Sequence, residues 1–373
     1  MTERVLSTRE LNRALLARQL LLKQPKQSIT RAVERIAGLQ TQYAPSGYVG
    51  LWSRLEGLRR PALTNSLEDK RVIQASLMRV TIHMVSARDY ILFAAGIRGA
   101  GRKWWLSIQR HALKADEMKR VAALLRKHLE QGPLRQTELV RIITEAGWPR
   151  MAWSGAGLWL DMVRVPPSGT WERRRADLYG LAEDWIGPLD SVTEEEGLVH
   201  LLTRYLQGFG PATLNDAANW AGLPVTKLRP VMERQHLRRF RDEQGKELID
   251  LPRAPLPDPD TPAPVRFLPT WDATLLVHAR RTQILPERYR KLVFHTKTPH
   301  SVPTFLVDGS VAGTWRYEQG KVNLNPFHPL PKDAQRALER EAERLSAFHA
   351  ESTHRGNTRR NKRYPLVPRR RKS

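Results

Sequence analysis

Apolar residues recur at helical spacing from the start of the chain. Leu11, Leu15, Leu16, Leu20 and Leu22 follow Ser7-Thr8-Arg9-Glu10, which reads as a capping box, so a first helix is predicted to run to about Leu22. Pro25 breaks the pattern. Ser28 then serves as N-cap to a second helix with the stripe Ile29, Val33, Ile36 and Leu39. That helix stops near Gly38 and leaves Gln40 and Gln42 just past its end. Short helices are expected over residues 50–55 and 63–67. Residues 72–75 and 79–85 alternate in the strand manner, with Thr81, His83 and Val85 on one face. Helices followed by a strand pair outline a winged helix-turn-helix.

The outline repeats. Residues 116–131 carry Met118, Val121, Leu124, Leu125 and Leu129 on one side. Gly132-Pro133 ends that helix, and two more are predicted over 136–146 and 152–163. Pro166-Pro167-Ser168-Gly169 then turns into a basic wing, Thr170-Trp171-Glu172-Arg173-Arg174-Arg175. Further on, helices over 194–206, 213–221 and 225–234 lead to another wing formed by 236–241 and 247–251, with Arg238, Arg239 and Arg241 along it. Six prolines between Pro252 and Pro264 mark an extended linker. Beyond it, alternation through Phe267-Leu268 and residues 302–317, with an Asp308-Gly309 hairpin turn, indicates a small β-rich unit closed by a helix over 332–348.

The predicted class is therefore α+β, mainly α: three tandem winged helix-turn-helix modules over residues 1–115, 116–190 and 191–251, a proline-rich linker over 252–265, and a β-rich unit over 266–350. A last segment, 351–373, is rich in arginine (Arg355, Arg359, Arg360, Arg363, Arg369, Arg370 and Arg371) and low in apolar residues, so it is expected to be disordered until it meets phosphate.

Charge narrows the partner. In 373 residues, 62 Lys and Arg against 38 Asp and Glu give a formal charge of +24 and a sequence pI near 10.8. Such a balance calls for a polyanion, and with three candidate winged helices the working partner is duplex DNA. The arginines of both wings are candidate phosphate ligands; as solvated surface residues they would serve solubility alone. With no apolar run long enough to span a bilayer and no export signal, a cytoplasmic, nucleoid-associated protein is expected. The chain contains no cysteine, its histidines are scattered without metal-ligand spacing, and no metal or cofactor is expected.

Five segments taken together look familiar: Leu39-Gln40-Thr41-Gln42, Arg79-Val80-Thr81-Ile82-His83, Phe209-Gly210-Pro211-Ala212-Thr213-Leu214 with Trp220-Ala221-Gly222-Leu223, Leu268-Pro269-Thr270-Trp271-Asp272, and Asp308-Gly309-Ser310-Val311-Ala312-Gly313-Thr314-Trp315-Arg316. In this order they resemble the AlkZ/YcaQ-type DNA glycosylases, a family of tandem winged helices, over roughly residues 6–345. The resemblance implies excision of bulky N-alkylated purines and, in some members, unhooking of interstrand crosslinks. It also implies a monomer. The family's catalytic motif maps onto Gln40 and Gln42, the Gln/Gln branch associated with self-resistance to DNA-alkylating natural products. Thr41 stands where an aliphatic residue is typical.

An amide can orient water through its carbonyl oxygen and donate from its NH2, but it cannot take a proton as a carboxylate does. Such a pair suits a bond already close to breaking. Alkylation at N7 or N3 makes the purine a cationic leaving group, and the remaining work is to position water and stabilise an oxocarbenium-like sugar. Undamaged purines would be spared. Among the other polar residues, Arg79 is a candidate phosphate ligand, while His83 is a candidate for DNA contact or a catalytic-site role, a hydrogen-bonded structural role being the commoner one for a lone strand histidine. Trp271, Trp315 and Arg316, with Asp272, are candidates for the lining of a DNA cleft; packing and turn formation are the alternative. The competing function is a non-enzymatic winged-helix regulator or architectural protein, which would bind DNA without releasing a base.

Overall fold

The computed structural model describes residues 3–109, 112–189, 191–275, 281–294 and 301–351. The predicted disordered tail, apart from Glu351, lies outside them.

In the N-terminal part, β1 (Val5–Leu6) leads to α1 (Thr8–Arg18), capped by Ser7 and Glu10 as predicted. The helix ends before Leu22 because Leu20 takes a left-handed φ of 58°. After α2 (Ile29–Arg35), whose N-cap is Ser28, come β2 (Leu39–Gln40), α3 (Ala44–Trp52) and α4 (Arg60–Glu68). α3 starts six residues before the expected 50–55 because Pro45 lies in its first turn, where a missing N–H is no loss. The strands β3 (Val72–Ser76) and β4 (Ile82–Ser86) are joined through Arg79 and Val80, which are not strand but left-handed, with φ of 56° and 57°.

The largest departure from the sequence pattern is α5 (Ala87–Ile108), a 22-residue helix over a stretch with no predicted element. Ser86 caps it by accepting from the Asp89 N–H. Its glycines suppress the helical signal yet serve the packing, since a Cβ on Gly197 would run into the backbone of Gly96 where α5 crosses α10. Next come α6 (Ala115–Leu129), β5 (Leu134–Arg135), α7 (Gln136–Glu145), α8 (Ala152–Trp159) and β6 (Met162–Arg164). The helix expected to reach residue 163 thus ends at Trp159, and its last residues pair instead with β3, Val163 opposite Ala75. β7 (Leu178–Leu181) and α9 (Ala182–Ile186) complete this part.

Then follow α10 (Glu194–Phe209), α11 (Leu214–Ala221), α12 (Val225–Arg234), β8 (Arg238–Asp242) and β9 (Glu247–Asp250). Beyond the extended proline segment lie β10 (Arg266–Leu268), α13 (Arg290–Val293), β11 (Thr304–Val307), β12 (Ser310–Glu318), β13 (Lys321–Pro326) and α14 (Lys332–Ala350). The β11–β12 turn is Asp308-Gly309, both at positive φ, as the sequence predicts.

The strands of the described residues form three sheets. One runs β2-β4-β3-β6-β7-β5 and joins the first predicted wing to the strands after α8. A second runs β1-β8-β9, in which β1 is parallel to β8 with Val5 opposite Arg241. The third, β10-β11-β12-β13, is antiparallel throughout. No helix of the described residues is long and apolar enough to cross a membrane.

Two buried ion pairs hold these parts together. Arg18 reaches both oxygens of Asp250 at 2.6 and 2.9 Å and also donates to the carbonyls of Leu206 and Pro255. Arg54 meets Asp272 in the same two-pronged manner at 2.9 Å on each side, and none of the side-chain surface of either is exposed. Charges this deep are tolerated only when both partners and their hydrogen bonds are in place. Replacing Asp272 by Asn should therefore lower stability by about 3–5 kcal/mol. Breaking the exposed pair Arg239–Glu247 by Arg239→Met should change it by less than about 1 kcal/mol. Denaturant unfolding of the two variants checks the contrast.

Candidate active site at the glutamine corner

Gln40 lies on the two-residue strand β2, at the edge of the six-stranded sheet and directly opposite His83 of β4. Directly opposed residues share a face of the sheet, so the Gln40 and His83 side chains stand together. Gln40 is nearly buried, 7% exposed, whereas Gln42, two residues on and past the strand end, is exposed. The carbonyl oxygen of Gln40 accepts from Arg79 Nη2 at 3.2 Å, and that of Gln42 accepts from the Ile82 N–H, also at 3.2 Å. Thr41 between them is buried, with its hydroxyl unpartnered and its methyl turned toward Gly47, where a Cβ would lie 2.9 Å from it. In this position Thr41 packs through its methyl as an aliphatic residue would.

Arg79 reaches Gln40 from the left-handed turn between β3 and β4 and donates its other nitrogen to the Trp220 carbonyl in the last turn of α11. A cation at the carbonyl end of a helix is favoured by the helix dipole. Burial, and then the nearby Arg281 charge, lower the Arg79 pKa to about 10, so it stays a cation at neutral pH. His83 is 2% exposed and its Nδ1–H donates to the Thr81 carbonyl at 3.0 Å. Burial, with Arg79 adding to it, pushes its pKa down to about 3. His83 is therefore a neutral, structural hydrogen-bond donor with almost no surface to offer a ligand.

The remaining candidates differ in exposure and in pairing: Arg239 and Arg241 are exposed as Arg173 to Arg175 are, and Arg175 meets Asp177 at 2.9 Å. Arg173, Arg174 and Arg175 are exposed on a loop, not on strands; the Ser168 hydroxyl clamps that loop by accepting from the Asp177 and Leu178 N–H groups at 2.8 and 3.1 Å. Arg174 donates to the Tyr43 hydroxyl at 3.3 Å and stacks over Trp171, which brings the basic loop to the residue next to Gln42. Arg238, Arg239 and Arg241 are paired within the protein, to Asp250, Glu247 and Glu3. Arg238 is tied to the same Asp250 that holds Arg18, which makes it part of the fold's framework. Trp315 is a core residue, 5% exposed, donating its indole N–H to the Leu268 carbonyl at 3.0 Å. Asp272 is likewise buried in its pair with Arg54. Trp271 is half-buried at a left-handed φ of 59°, and its backbone N–H donates to Ser301. Arg316, next to Trp315 but on the opposite face of β12, is exposed.

Three features of this neighbourhood lie outside the sequence reading. Tyr43 is 42% exposed at the lip of the corner. Arg281 is buried, with its guanidinium 4.4 Å from the Phe209 ring. A cavity of about 780 Å³ opens beside Arg79 and Val80, walled by apolar residues of α5, α8 and the α11–α12 turn and flanked by Lys103 and Lys227. Tyr43 directly follows the Gln-x-Gln pattern and could have been read from it. The other two depend on contacts between segments far apart in the chain.

Comparison with known proteins agrees with this architecture. No curated protein matches the chain by sequence. The structure superposes on the Streptomyces sahachiroi DNA glycosylase AlkZ with a TM-score of 0.79 at 18% identity, covering 93% of this chain and 98% of that one. At that identity the likeness establishes the fold. The family model described as DNA glycosylase AlkZ-like matches residues 33–348, a span that runs from α2 through the glutamine corner to α14. The chain belongs to the AlkZ-like family of DNA glycosylases.

Proposed function

We propose that this DNA glycosylase hydrolyses the N-glycosidic bond of N7- or N3-alkylated purines in duplex DNA, with Gln40 and Gln42 orienting the attacking water. The observation that carries this reading is the state of the two amides. Each has its carbonyl oxygen held by a donor of the protein, which leaves on each one carbonyl lone pair and the NH2 group for water and substrate. Neither group can act as a proton acceptor in the way a carboxylate does, and His83, buried with its pKa pushed down to about 3, is a poor base. The lesion must then supply the driving force: a cationic alkylpurine leaves as a neutral base, and the amides need only fix water beside an oxocarbenium-like sugar. Water is the nucleophile and no lysine Schiff base forms. The apolar cavity beside Arg79 offers room for a bulky substituent, so adducts larger than methyl, including purine-linked crosslinks, fall within the proposed range. A role in repair of alkylation damage or in self-resistance to an alkylating product follows from that substrate class.

We further propose that residues 1–115, 116–190 and 191–251 act as three winged helices gripping DNA as a monomer. In this arrangement Arg173, Arg174, Arg175 and Arg316 meet phosphates, and Arg79, through its charge beside the corner, and Trp271 border the cleft. Arg175, paired with Asp177, must exchange a carboxylate for a phosphate to do so, and so must Arg239 and Arg241 in order to join them.

Incubation with an N7-methylguanine duplex should produce alkali-labile abasic sites and leave undamaged DNA intact. The Gln40→Ala, Gln42→Ala double variant should lose about a hundredfold or more in rate while still binding DNA. Borohydride trapping of an enzyme–DNA adduct, or full activity in the double variant, contradicts the mechanism. Replacing Arg173, Arg174 and Arg175 by Ala should flatten the salt dependence of DNA binding by about 0.9 log units per lost phosphate contact, while Arg239→Ala should change it little. His83, with a pKa of about 3 in the fold against an ordinary 6.5 in the unfolded chain, binds its proton mainly when unfolded between those values. Its contribution to stability is therefore complete above pH 6.5 and is lost as pH falls toward 3, by up to about one log unit in the folding constant per pH unit. Melts at pH 7 and pH 5 of wild type and His83→Asn should show a shallower acid loss in the variant.

A further inference from the structure

We propose that Arg79 is a positioning residue for Gln40: from its left-handed turn it fixes which way round the Gln40 amide stands, and so which atoms that amide presents to the reacting water. The inference rests on the catalytic assignment of Gln40 made above.

A guanidinium has five N–H donors and no acceptor, so the Gln40 atom facing it must be the carbonyl oxygen. The same reasoning applies to Gln42, whose partner is the Ile82 backbone N–H. The two amides thus have defined orientations, set in one case by the main chain and in the other by a single side chain. Without Arg79, rotation of the Gln40 amide by half a turn would put NH2 where the carbonyl now stands.

The placement of Arg79 is itself constrained. Arg79 and Val80 both occupy the left-handed region, an uncommon conformation for residues with a Cβ and an unfavourable one for β-branched Val80. Gly222 makes room for it: a Cβ there would lie 3.0 Å from the Arg79 backbone nitrogen and 3.2 Å from its Cγ. The far nitrogen of the guanidinium is anchored to the Trp220 carbonyl. Its hydrogen-bond partners among the described residues are thus neutral oxygens, and its charge is directed at the Gln40 amide with no carboxylate of those residues paired to it. Arg18 and Arg54, by contrast, each carry a buried aspartate.

The test uses the full chain and an N7-methylguanine duplex, with single-turnover rates, DNA affinity and its salt slope, and melting temperature measured for Arg79→Met and Arg79→Lys. Arg79→Met should lower the rate about 10- to 100-fold, with DNA affinity changed less than about threefold and the salt slope unchanged. Arg79→Lys, which restores a charged donor, should recover part of that rate. In a Gln40→Ala background Arg79→Met should bring no further loss, because the two act as one unit. Weaker binding with a flatter salt slope and an unchanged rate would make Arg79 a phosphate ligand and overturn the proposal. So would fully additive losses with Gln40→Ala, or equal losses in Met and Lys accompanied by a lower melting temperature. If Arg79→Met does not fold, Arg79→Gln takes its place in the same measurements. Undiminished activity of Gln40→Ala alone strikes the catalytic assignment instead, and is distinguishable from every Arg79 outcome.

Discussion

The molecule depends on burying arginine. Arg18 and Arg54 come from the first 54 residues, yet their carboxylates are Asp250 and Asp272, more than 200 positions away. A guanidinium committed to a bidentate carboxylate inside the protein cannot slide or be shared, so each pair sets the relation of its two segments to within a hydrogen bond. Through Arg18 the first helix is registered against α10, β9 and the start of the proline segment; through Arg54 the helix after the glutamine corner is registered against the C-terminal sheet. The corner sits between these two clamps, and its geometry is inherited from them.

This changes the meaning of the positive charge. A formal +24 invites a picture of arginines spread over a DNA-facing surface. Several of them are structural: Arg13, Arg18 and Arg54 are buried, and Arg238 braces Asp250 from its other side. The cations that remain exposed close to the corner, Arg173 to Arg175, are on a loop clamped by one serine and stacked on Trp171, so rigidity and charge arrive together. The proposed site, which would work with neutral amides, needs this, because electrostatic catalysis by dipoles depends on their being held in place before the substrate arrives.

The parts legible in the chain were those with local causes. Ser7-x-x-Glu10, Ser28, the Asp308-Gly309 turn and the proline segment each act within a few residues, and the elements follow. Gln40 and Gln42 were legible as a pair because they interrupt an apolar stripe at a helix end. The structural role of Arg238 was not legible, since its distinguishing partner is shared with Arg18 across the fold. α5 was hidden because Gly96, Gly99 and Gly101 weaken a helical pattern for reasons found only in the approach of α10 to the first two and of α8 to the third. The strand expected from residue 79 failed at Arg79 and Val80 because a left-handed pair of substituted residues runs against local preference and is imposed by neighbours. Burial of His83 and Trp315 follows from sheet position, which alternation alone assigns to a face without saying which face is covered.

Where Gly96 of α5 meets Gly197 of α10, neither residue has a side chain to give way. Most helix contacts in a protein can absorb a load by a change of rotamer, whereas Gly96 against Gly197 can only stay or separate. The contact is therefore a stiff one: moving α5 against α10 at this point means parting two backbones, which no change of rotamer can replace.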